Sequence, residues 1–284
     1  MHRRKLIGVA LPAAIASAPI VGEAAHLVAS GSSLWFWGDQ ALIDIEARNS
    51  ILGRNLLGVY DRYGWHHPGS LWLLILGVFR WVGGGSPIAV VIGSYALQVA
   101  AVVGIVLVAE RLRPGLTAWW SALLLIGYEW SFGPDRLGII WAPYAIALPV
   151  ALLVLLVAYV VTSPNPWGPF IATVVCASFL FQTDISTALF VVVMVLAAPF
   201  LRWTLRGVML ARPSGQQPAG KGTVESTGWG WSTGAWHRPA AVLAGVVGVL
   251  WLAPVIQELS TRPGNLVLVY RFLTTHHGYR SWRL

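Results

Sequence analysis

The sequence predicts an all-α protein that crosses a membrane several times. Of its 284 residues, 56% are hydrophobic and 11% are charged, whereas charged residues make up about 25% of an ordinary soluble domain. The apolar residues form long runs that are separated by polar connectors. Because a soluble fold could not bury this much apolar surface, the composition indicates a polytopic membrane protein.

Seven apolar runs are predicted to span the membrane. The hydrocarbon core of a bilayer is ~30 Å thick and needs about 20 helical residues. The predicted spans are residues 6–29, 88–108, 116–128, 139–161, 168–181, 185–201 and 239–256, of which the third and the fifth are short. Residues 70–82 would make only about 20 Å of helix, so we expect an interfacial or re-entrant helix there.

The distribution of charge predicts the orientation. The net charge is +8, from 19 Lys and Arg against 11 Asp and Glu. The basic residues concentrate in segments 1–5, 110–115 and 202–238, which places the N-terminus on the cytoplasmic side of the cell membrane. No basic stripe interleaved with aromatic residues is present, so the charge indicates topology and attraction to membrane lipids rather than nucleic-acid binding. Residues 202–238, rich in Gly, Ser, Thr and Pro, are predicted to be a disordered cytoplasmic linker.

The extracytoplasmic segment 30–86 contains a polar island, residues 37–69, within an otherwise apolar chain. The island holds four of the eleven acidic residues, three arginines and two adjacent histidines. Polar side chains between membrane helices usually mark a functional site. No nucleotide-binding loop, nucleophile elbow or H-E-x-x-H zinc motif occurs, and the single cysteine excludes an internal disulfide. The polar island is therefore the main candidate for a site.

The acidic residues of the island suggest alternative roles. Asp39 begins a predicted helix directly after the first span, where a carboxylate can cap the helix and meet its dipole or act as a general base toward a hydroxyl. Asp44 and Arg48 have the i,i+4 spacing of an ion pair. Asp39 and Glu46 share a predicted face but lie ~10.5 Å apart along the helix, which argues against one metal ion between them.

The basic residues of the island suggest phosphate binding. Adjacent side chains do not point the same way, so His66 and His67 are not expected to chelate one metal ion. With Tyr60 and Arg62 nearby, they could instead hold a phosphate or pyrophosphate, or simply form a polar turn. Three arginines could neutralise a phosphate leaving group: Arg48, Arg54 and Arg62.

Gln182 and Asp184 follow the short fifth span at its predicted outer end. A short helix leaves a recess at the membrane surface, so these side chains could line a pocket or be no more than a polar helix terminus. The second, fourth, sixth and seventh spans contain no charged residue at mid-membrane depth, and no inverted repeat is evident, which argues against a transporter.

The order of motifs resembles the GT-C superfamily of membrane glycosyltransferases, especially relatives of the protein O-mannosyltransferase and lipid A aminoarabinose transferase group. The first span is followed by G-D-Q-A at residues 38–41 and by L-L-G-V-Y-D-R-Y-G-W-H-H-P-G at residues 56–69. The resemblance covers residues 38–113. Less specific landmarks follow later in the chain: Trp141-Ala142-Pro143, Gln182-Thr183 and Pro263-Gly264-Asn265-Leu266.

The resemblance implies an inverting transferase that works on the outer face of the membrane. Its donor would be a polyprenyl-phosphate sugar, and its acceptor a glycan, lipid or protein of the cell envelope. Asp39 matches the catalytic base, and Asp44 or Glu46 the second acidic position. The lipid phosphate would be held by three residues: Arg62, His66 and His67. Some members place a divalent cation on that phosphate.

The chain departs from the pattern of the superfamily in several places. It has H-P-G where many relatives have H-P-P, and Asp184 where Q-T-H would be expected. Most members are considerably longer, so the resemblance suggests a single transmembrane domain, residues 1–284, that is shortened at its C-terminus. The alternative interpretation is a non-catalytic membrane protein of the envelope.

Overall fold

The structure, a computed structural model, describes residues 2–31, 33–210 and 237–275. These residues are mostly helical, which confirms the predicted all-α class. In chain order the elements are α1 (His2–Ala29), α2 (Asp39–Ile51), β1 (Tyr60–Asp61), β2 (Trp65–His66), α3 (Leu71–Val82), α4 (Pro87–Leu112), α5 (Thr117–Phe132), a 3-10 helix (Pro134–Gly138), α6 (Ala142–Ala145), α7 (Ala147–Thr162), α8 (Trp167–Thr183), a second 3-10 helix (Ile185–Thr187), α9 (Ala188–Leu210), α10 (His237–Ser260) and α11 (Asn265–Thr275).

Five helical segments in the described part of the chain are long and apolar enough to cross a membrane. They are Gly8–Ala29, Pro87–Leu112, Ala142–Thr162, Ile185–Leu205 and His237–Ser260. The finding supports a multi-pass membrane protein, but length alone does not confirm the predicted count of seven. The two predicted spans that are not long enough are α5, with 16 residues, and α8, with 17. Each makes only about 25 Å of helix.

Three clusters of buried side chains hold the described helices together, and two of them are large. In the first, α1, α4 and α5 pack through small and β-branched residues such as Ala16, Val102 and Ala122. The second lies under the polar island, where Ile43 of α2 and Trp72 of α3 meet residues of α7, α8 and α9. The indole N–H of Trp72 donates to the backbone oxygen of Ile140 at 3.1 Å, so α3 is tied to the segment that precedes α6.

Helix α3 is the short helix that the sequence predicts at residues 70–82. It packs closely against α2, because Gly77 brings its backbone next to that of Ala47, where a Cβ atom would lie 2.5 Å from the Ala47 oxygen. This close contact sets Arg80 of α3 beside Asp44 of α2. Helix α3 thus supports the polar island by packing against α2.

The predicted linker needs a correction at both ends. Residues 202–210 continue helix α9, and residues 237–238 begin α10, while residues 211–236 lie outside the described part of the chain. Arg202 is buried, and its guanidinium donates to the backbone oxygens of Val160 at 3.0 Å and Ser163 at 2.6 Å. The cation therefore satisfies orphan carbonyl groups at the end of α7, the helix end that favours positive charge.

Candidate active site at the start of helix α2

A polar cavity of about 390 Å³ opens where the polar island meets the segments before α6 and after α8. Its polar lining comes from six residues: Asp39, Tyr60, Asp61, Arg62, His67 and Asp184. Trp141 and Pro143 form part of the wall. Segments that are more than 100 residues apart in sequence therefore meet in one cavity, and five of these side chains are among the residues that the sequence singles out.

Asp39 does not cap its helix. It is the first residue of α2, the cap position is Gly38, and no side chain makes a capping hydrogen bond there. Gly38 has φ +56°, a conformation that glycine adopts far more easily than other residues. Among the described residues, the Asp39 carboxylate has no hydrogen-bond or ion-pair partner, so it is exposed to the cavity and available to a ligand.

Asp44 pairs with Arg80 rather than with Arg48, which corrects the i,i+4 prediction. The Arg80 guanidinium nitrogen lies 2.7 Å from the Asp44 carboxylate. Burial raises the pKa of Asp44, while the charge and hydrogen bond of Arg80, and the charge of Arg48, oppose that rise. Asp44 pairs with the arginine of the neighbouring helix because α3 packs directly against α2, whereas the side chain of Arg48 is exposed to solvent. Asp44 thus joins two helices and does not line the cavity.

Glu46 holds the hairpin formed by β1 and β2. Its carboxylate is buried and accepts the backbone N–H of Tyr60 at 3.3 Å to each oxygen. Burial raises the pKa of Glu46 from an ordinary 4.5 to about 7, although the Tyr60 hydrogen bond opposes the change. Glu46 therefore supports the hairpin and does not line the cavity.

His66 and His67 point to different surroundings, as predicted for adjacent residues. His66 lies in β2, paired with Tyr60, and its Nδ1 is 3.0 Å from the backbone oxygen of Gly58. Its backbone N–H donates to Oδ1 of Asn265, and its backbone oxygen accepts from Nδ2, both at 2.8 Å. His66 is thus a structural residue that ties the hairpin to α11, and it does not line the cavity.

His67 faces the cavity with a defined tautomer. Its Nδ1 accepts the backbone N–H of Ile185 at 3.1 Å, so the hydrogen of the neutral ring is on Nε2. Burial lowers the pKa of His67, and the carboxylates of Asp184 and Asp61 oppose that shift. The ring is therefore held as a neutral N–H donor beside the cavity.

Gln182 does not line the cavity, in contrast to the pocket prediction. It is buried, and its amide donates to the backbone oxygen of Leu250 in α10 at 2.9 Å. Its side chain also packs on Gly69, where a Cβ atom would collide with the amide group. The glycine of H-P-G therefore makes room for Gln182, which fixes the hairpin segment against α8 and α10.

The arginines of the island separate into one at the cavity and two away from it. Arg62 lines the cavity and lies over the ring of Tyr63, with 5.3 Å between the guanidinium carbon and the ring centroid. Arg48 and Arg54 are exposed and do not line it. Only Arg62 can therefore contribute a full positive charge from this island to a ligand in the cavity.

The electrostatic balance of the cavity is acidic. Three aspartates line it, Asp39, Asp61 and Asp184, against one arginine. No group of three or more His, Cys, Asp and Glu in the described residues could hold a metal ion. A ligand in this cavity therefore meets three carboxylates and one guanidinium group.

Sequence reasoning missed several residues of the site. Asp61 lines the cavity and also accepts the backbone N–H of Tyr63 at 3.0 Å, but its spacing to other charged residues gave no signal. Asn265 belongs to one of the later motifs of the resemblance. However, it binds the backbone of His66, which lies 199 residues earlier in the sequence. No local pattern could have paired these two positions.

Comparisons with known proteins give no family for the chain. No protein-family model, no curated protein and no solved structure matches it. The resemblance to the GT-C superfamily therefore stays a prediction, and the function has to be argued from the geometry of the cavity.

Proposed function

We propose that this protein is a membrane glycosyltransferase that moves a sugar from a polyprenyl-phosphate donor to an acceptor of the cell envelope. One observation carries the proposal: Asp39, which has no partner among the described residues, opens onto the same cavity as Arg62 and His67. A carboxylate can accept the proton of a hydroxyl, and a guanidinium with an imidazole N–H can stabilise a departing phosphate. Glycosyl transfer from a phosphate needs both groups in one cavity.

The proposed reaction is a single displacement with inversion. Asp39 accepts the proton of the acceptor hydroxyl, whose oxygen forms a bond to the anomeric carbon. The bond between that carbon and the phosphate oxygen breaks, and its electron pair leaves with the polyprenyl phosphate. Arg62 and the Nε2–H of His67 stabilise the negative charge of this leaving group. Asp61 and Asp184 face the same cavity and are positioned to hold sugar hydroxyls.

The membership of the cavity also supports seven crossings. Asp39 and Arg62 precede α4, whereas Trp141 and Pro143 follow α5. Because α4 is long enough to cross, α5 has to return the chain for these residues to meet on one side. Likewise, α7 takes the chain across the membrane after Pro143, so α8 has to return it for Asp184 to reach the same cavity. We therefore count α5 and α8 as short crossings, which places the cavity outside when the N-terminus is cytoplasmic.

The acidic lining favours one alternative, a non-catalytic envelope protein that binds a neutral glycan. Carboxylates are good acceptors for sugar hydroxyls, and two of the three at this cavity have no assigned step in proton transfer. A phosphate would be opposed by the charges of Asp61 and Asp184. This alternative predicts glycan binding without transfer, so a transfer assay distinguishes the two functions.

The test is transfer by the protein in proteoliposomes that contain radiolabelled polyprenyl-phosphate hexoses and pentoses and an extract of envelope acceptors. Asp39→Asn should lower the rate by about 10²–10⁴-fold, the usual contribution of a general base. The matched control is Glu110→Gln, because Glu110 binds the Gly115 backbone at the other end of α4; its rate should be unchanged. Unaltered transfer by folded Asp39→Asn would remove the central claim, and absence of transfer by the wild type with every donor would favour the binding protein.

A further inference from the structure

A second cavity lies on the other side of the start of α2. Its volume is about 440 Å³. Its polar lining comes from Glu23 and His26 of α1, Ser30 just after α1, Gln40 of α2, Tyr95 of α4 and Asp135 of the first 3-10 helix. None of these residues takes part in the reaction proposed above, so the cavity requires its own explanation.

The two cavities are separated by consecutive stretches of chain. Asp39 lines the first cavity and Gln40, the next residue, lines the second. On the opposite wall, Trp141 lines the first cavity and Ile139 lines the second. The catalytic carboxylate therefore stands at the boundary, within one residue of both spaces.

The charges of the second cavity differ from those of the first. Its carboxylates belong to Glu23 and Asp135, and neither has an ion-pair partner among the described residues. No lysine or arginine lines it. Both carboxylates would repel a phosphate, whereas an ammonium group would gain charge-assisted hydrogen bonds from them.

Aromatic and neutral polar groups complete the lining. Trp35 is 85% exposed and lies at this cavity together with Phe36. Exposed indole faces attract cations and the apolar faces of ring-shaped ligands. Gln40 adds an amide that can donate and accept. The buried Tyr95 hydroxyl donates to the backbone oxygen of Asp135 at 3.3 Å, which holds the acidic residue at the cavity wall.

We propose that the second cavity binds an amine-bearing, hydroxylated ligand through Glu23 and Asp135. Its role as the acceptor of the reaction rests on the proposed function. In that role the ammonium group lies between the two carboxylates, and a hydroxyl of the same molecule reaches Asp39 across the boundary. The lipid phosphate is confined to the first cavity, where Arg62 and His67 are.

Binding of three matched sugars to the full chain in lipid nanodiscs tests this site without any donor. The probes are methyl glucosaminide, methyl glucoside and methyl glucuronide, which differ in carrying an amine, no charge or a carboxylate. We expect the amine to bind at least about tenfold more tightly than the neutral sugar, the value of one hydrogen bond to a charged group, and the glucuronide to bind more weakly than either. Equal affinity for the amine and the neutral sugar would overturn the proposal.

Variants then locate the site. Glu23→Gln and Asp135→Asn should each remove most of the preference for the amine and leave the affinity for methyl glucoside within about twofold. The controls are Glu258→Gln, whose carboxylate accepts the backbone N–H of Leu266, and Glu110→Gln, and both should keep the preference. A preference that survives in Glu23→Gln and Asp135→Asn, or that is lost in Glu258→Gln, places the amine elsewhere and contradicts the assignment.

Two further readouts keep the test decisive. If a variant melts at a lower temperature than the wild type, the wild type is measured at increasing sodium chloride concentrations in place of that variant. Its preference for the amine over the neutral sugar must then fall as the salt concentration rises, because salt screens the attraction between charges. Amine selectivity in this donor-free experiment, together with no transfer by the wild type in the proteoliposome assay, would refute the proposed function alone. Transfer that depends on Asp39 but shows no amine selectivity would refute only this inference.

Discussion

The two halves of the first cavity are built in different ways. The hairpin that carries Arg62 and His67 is held by partly buried hydrogen bonds from three directions: Glu46 of α2, Asn265 of α11 and the backbone of Ile185. Asp39, on the opposite side, is held only by the turn at Gly38 and by its own helix. The comparison indicates that the half proposed to bind the donor is preorganised, which is where electrostatic stabilisation needs fixed groups. The carboxylate of Asp39, the proposed base, has no such support.

The largest expected effect on stability concerns Glu46 in the fixed half. Because burial raises the pKa of Glu46 to about 7 from 4.5, the folded state binds a proton more tightly than the unfolded state. The stability that this provides is present below pH 4.5 and is lost as the pH rises through 7, for a total of about 3 kcal/mol. Glu46→Gln keeps an acceptor for the Tyr60 N–H and removes the titration.

Melting curves of the wild type and Glu46→Gln in detergent, between pH 4.5 and 8.5, check this prediction. The stability of the wild type should fall relative to the variant as the pH rises. His67 contributes with the opposite sign, because its lowered pKa removes stability as the pH falls below 6.5. The difference between the two proteins cancels that contribution. A constant difference across the pH range would show that Glu46 is not buried as described.

The bundle was more predictable from the sequence than the site was. Apolar run lengths locate the helices, and the polar island with its motif order points to Asp39, Arg62 and His67. Three features were not accessible. The pairing of Asp44 with Arg80 depends on how closely Gly77 lets α3 approach α2. The burial of Gln182 depends on Gly69, and the binding of His66 to Asn265 depends on contacts between distant segments. Local spacing contains no information about any of these contacts.

The next largest effect concerns Asn265, which connects the fixed half to α11. Its side chain is 2% exposed and makes both hydrogen bonds to the His66 backbone. Asn265→Ala leaves the partly buried N–H and carbonyl group of His66 without these partners, which should cost about 2 kcal/mol. The measurement is the free energy of unfolding in a mild detergent.

Glu258→Gln is the matched control, because Glu258 accepts the exposed backbone N–H of Leu266 in the same turn. We expect this variant to lose less than about 0.5 kcal/mol of unfolding free energy. An equal loss of unfolding free energy in both variants would mean that the hydrogen bonds of Asn265 to His66 make no specific contribution to stability.

The smallest effect on stability is expected at Asp39, and it is the sharpest test of the difference between the two halves. The side chain is exposed, makes no capping bond and has no partner in the described residues, so Asp39→Asn and Asp39→Ala remove no interaction. The only favourable term lost is that of a negative charge with the helix N-terminus, about 0.3–1 kcal/mol. Asn and Ala variants should therefore melt within a few degrees of the wild type while transfer falls by about 10²–10⁴-fold. A loss of stability as large as that of Asn265→Ala would show that Asp39 has a structural partner, and the division into a fixed donor half and an unencumbered base would then be wrong.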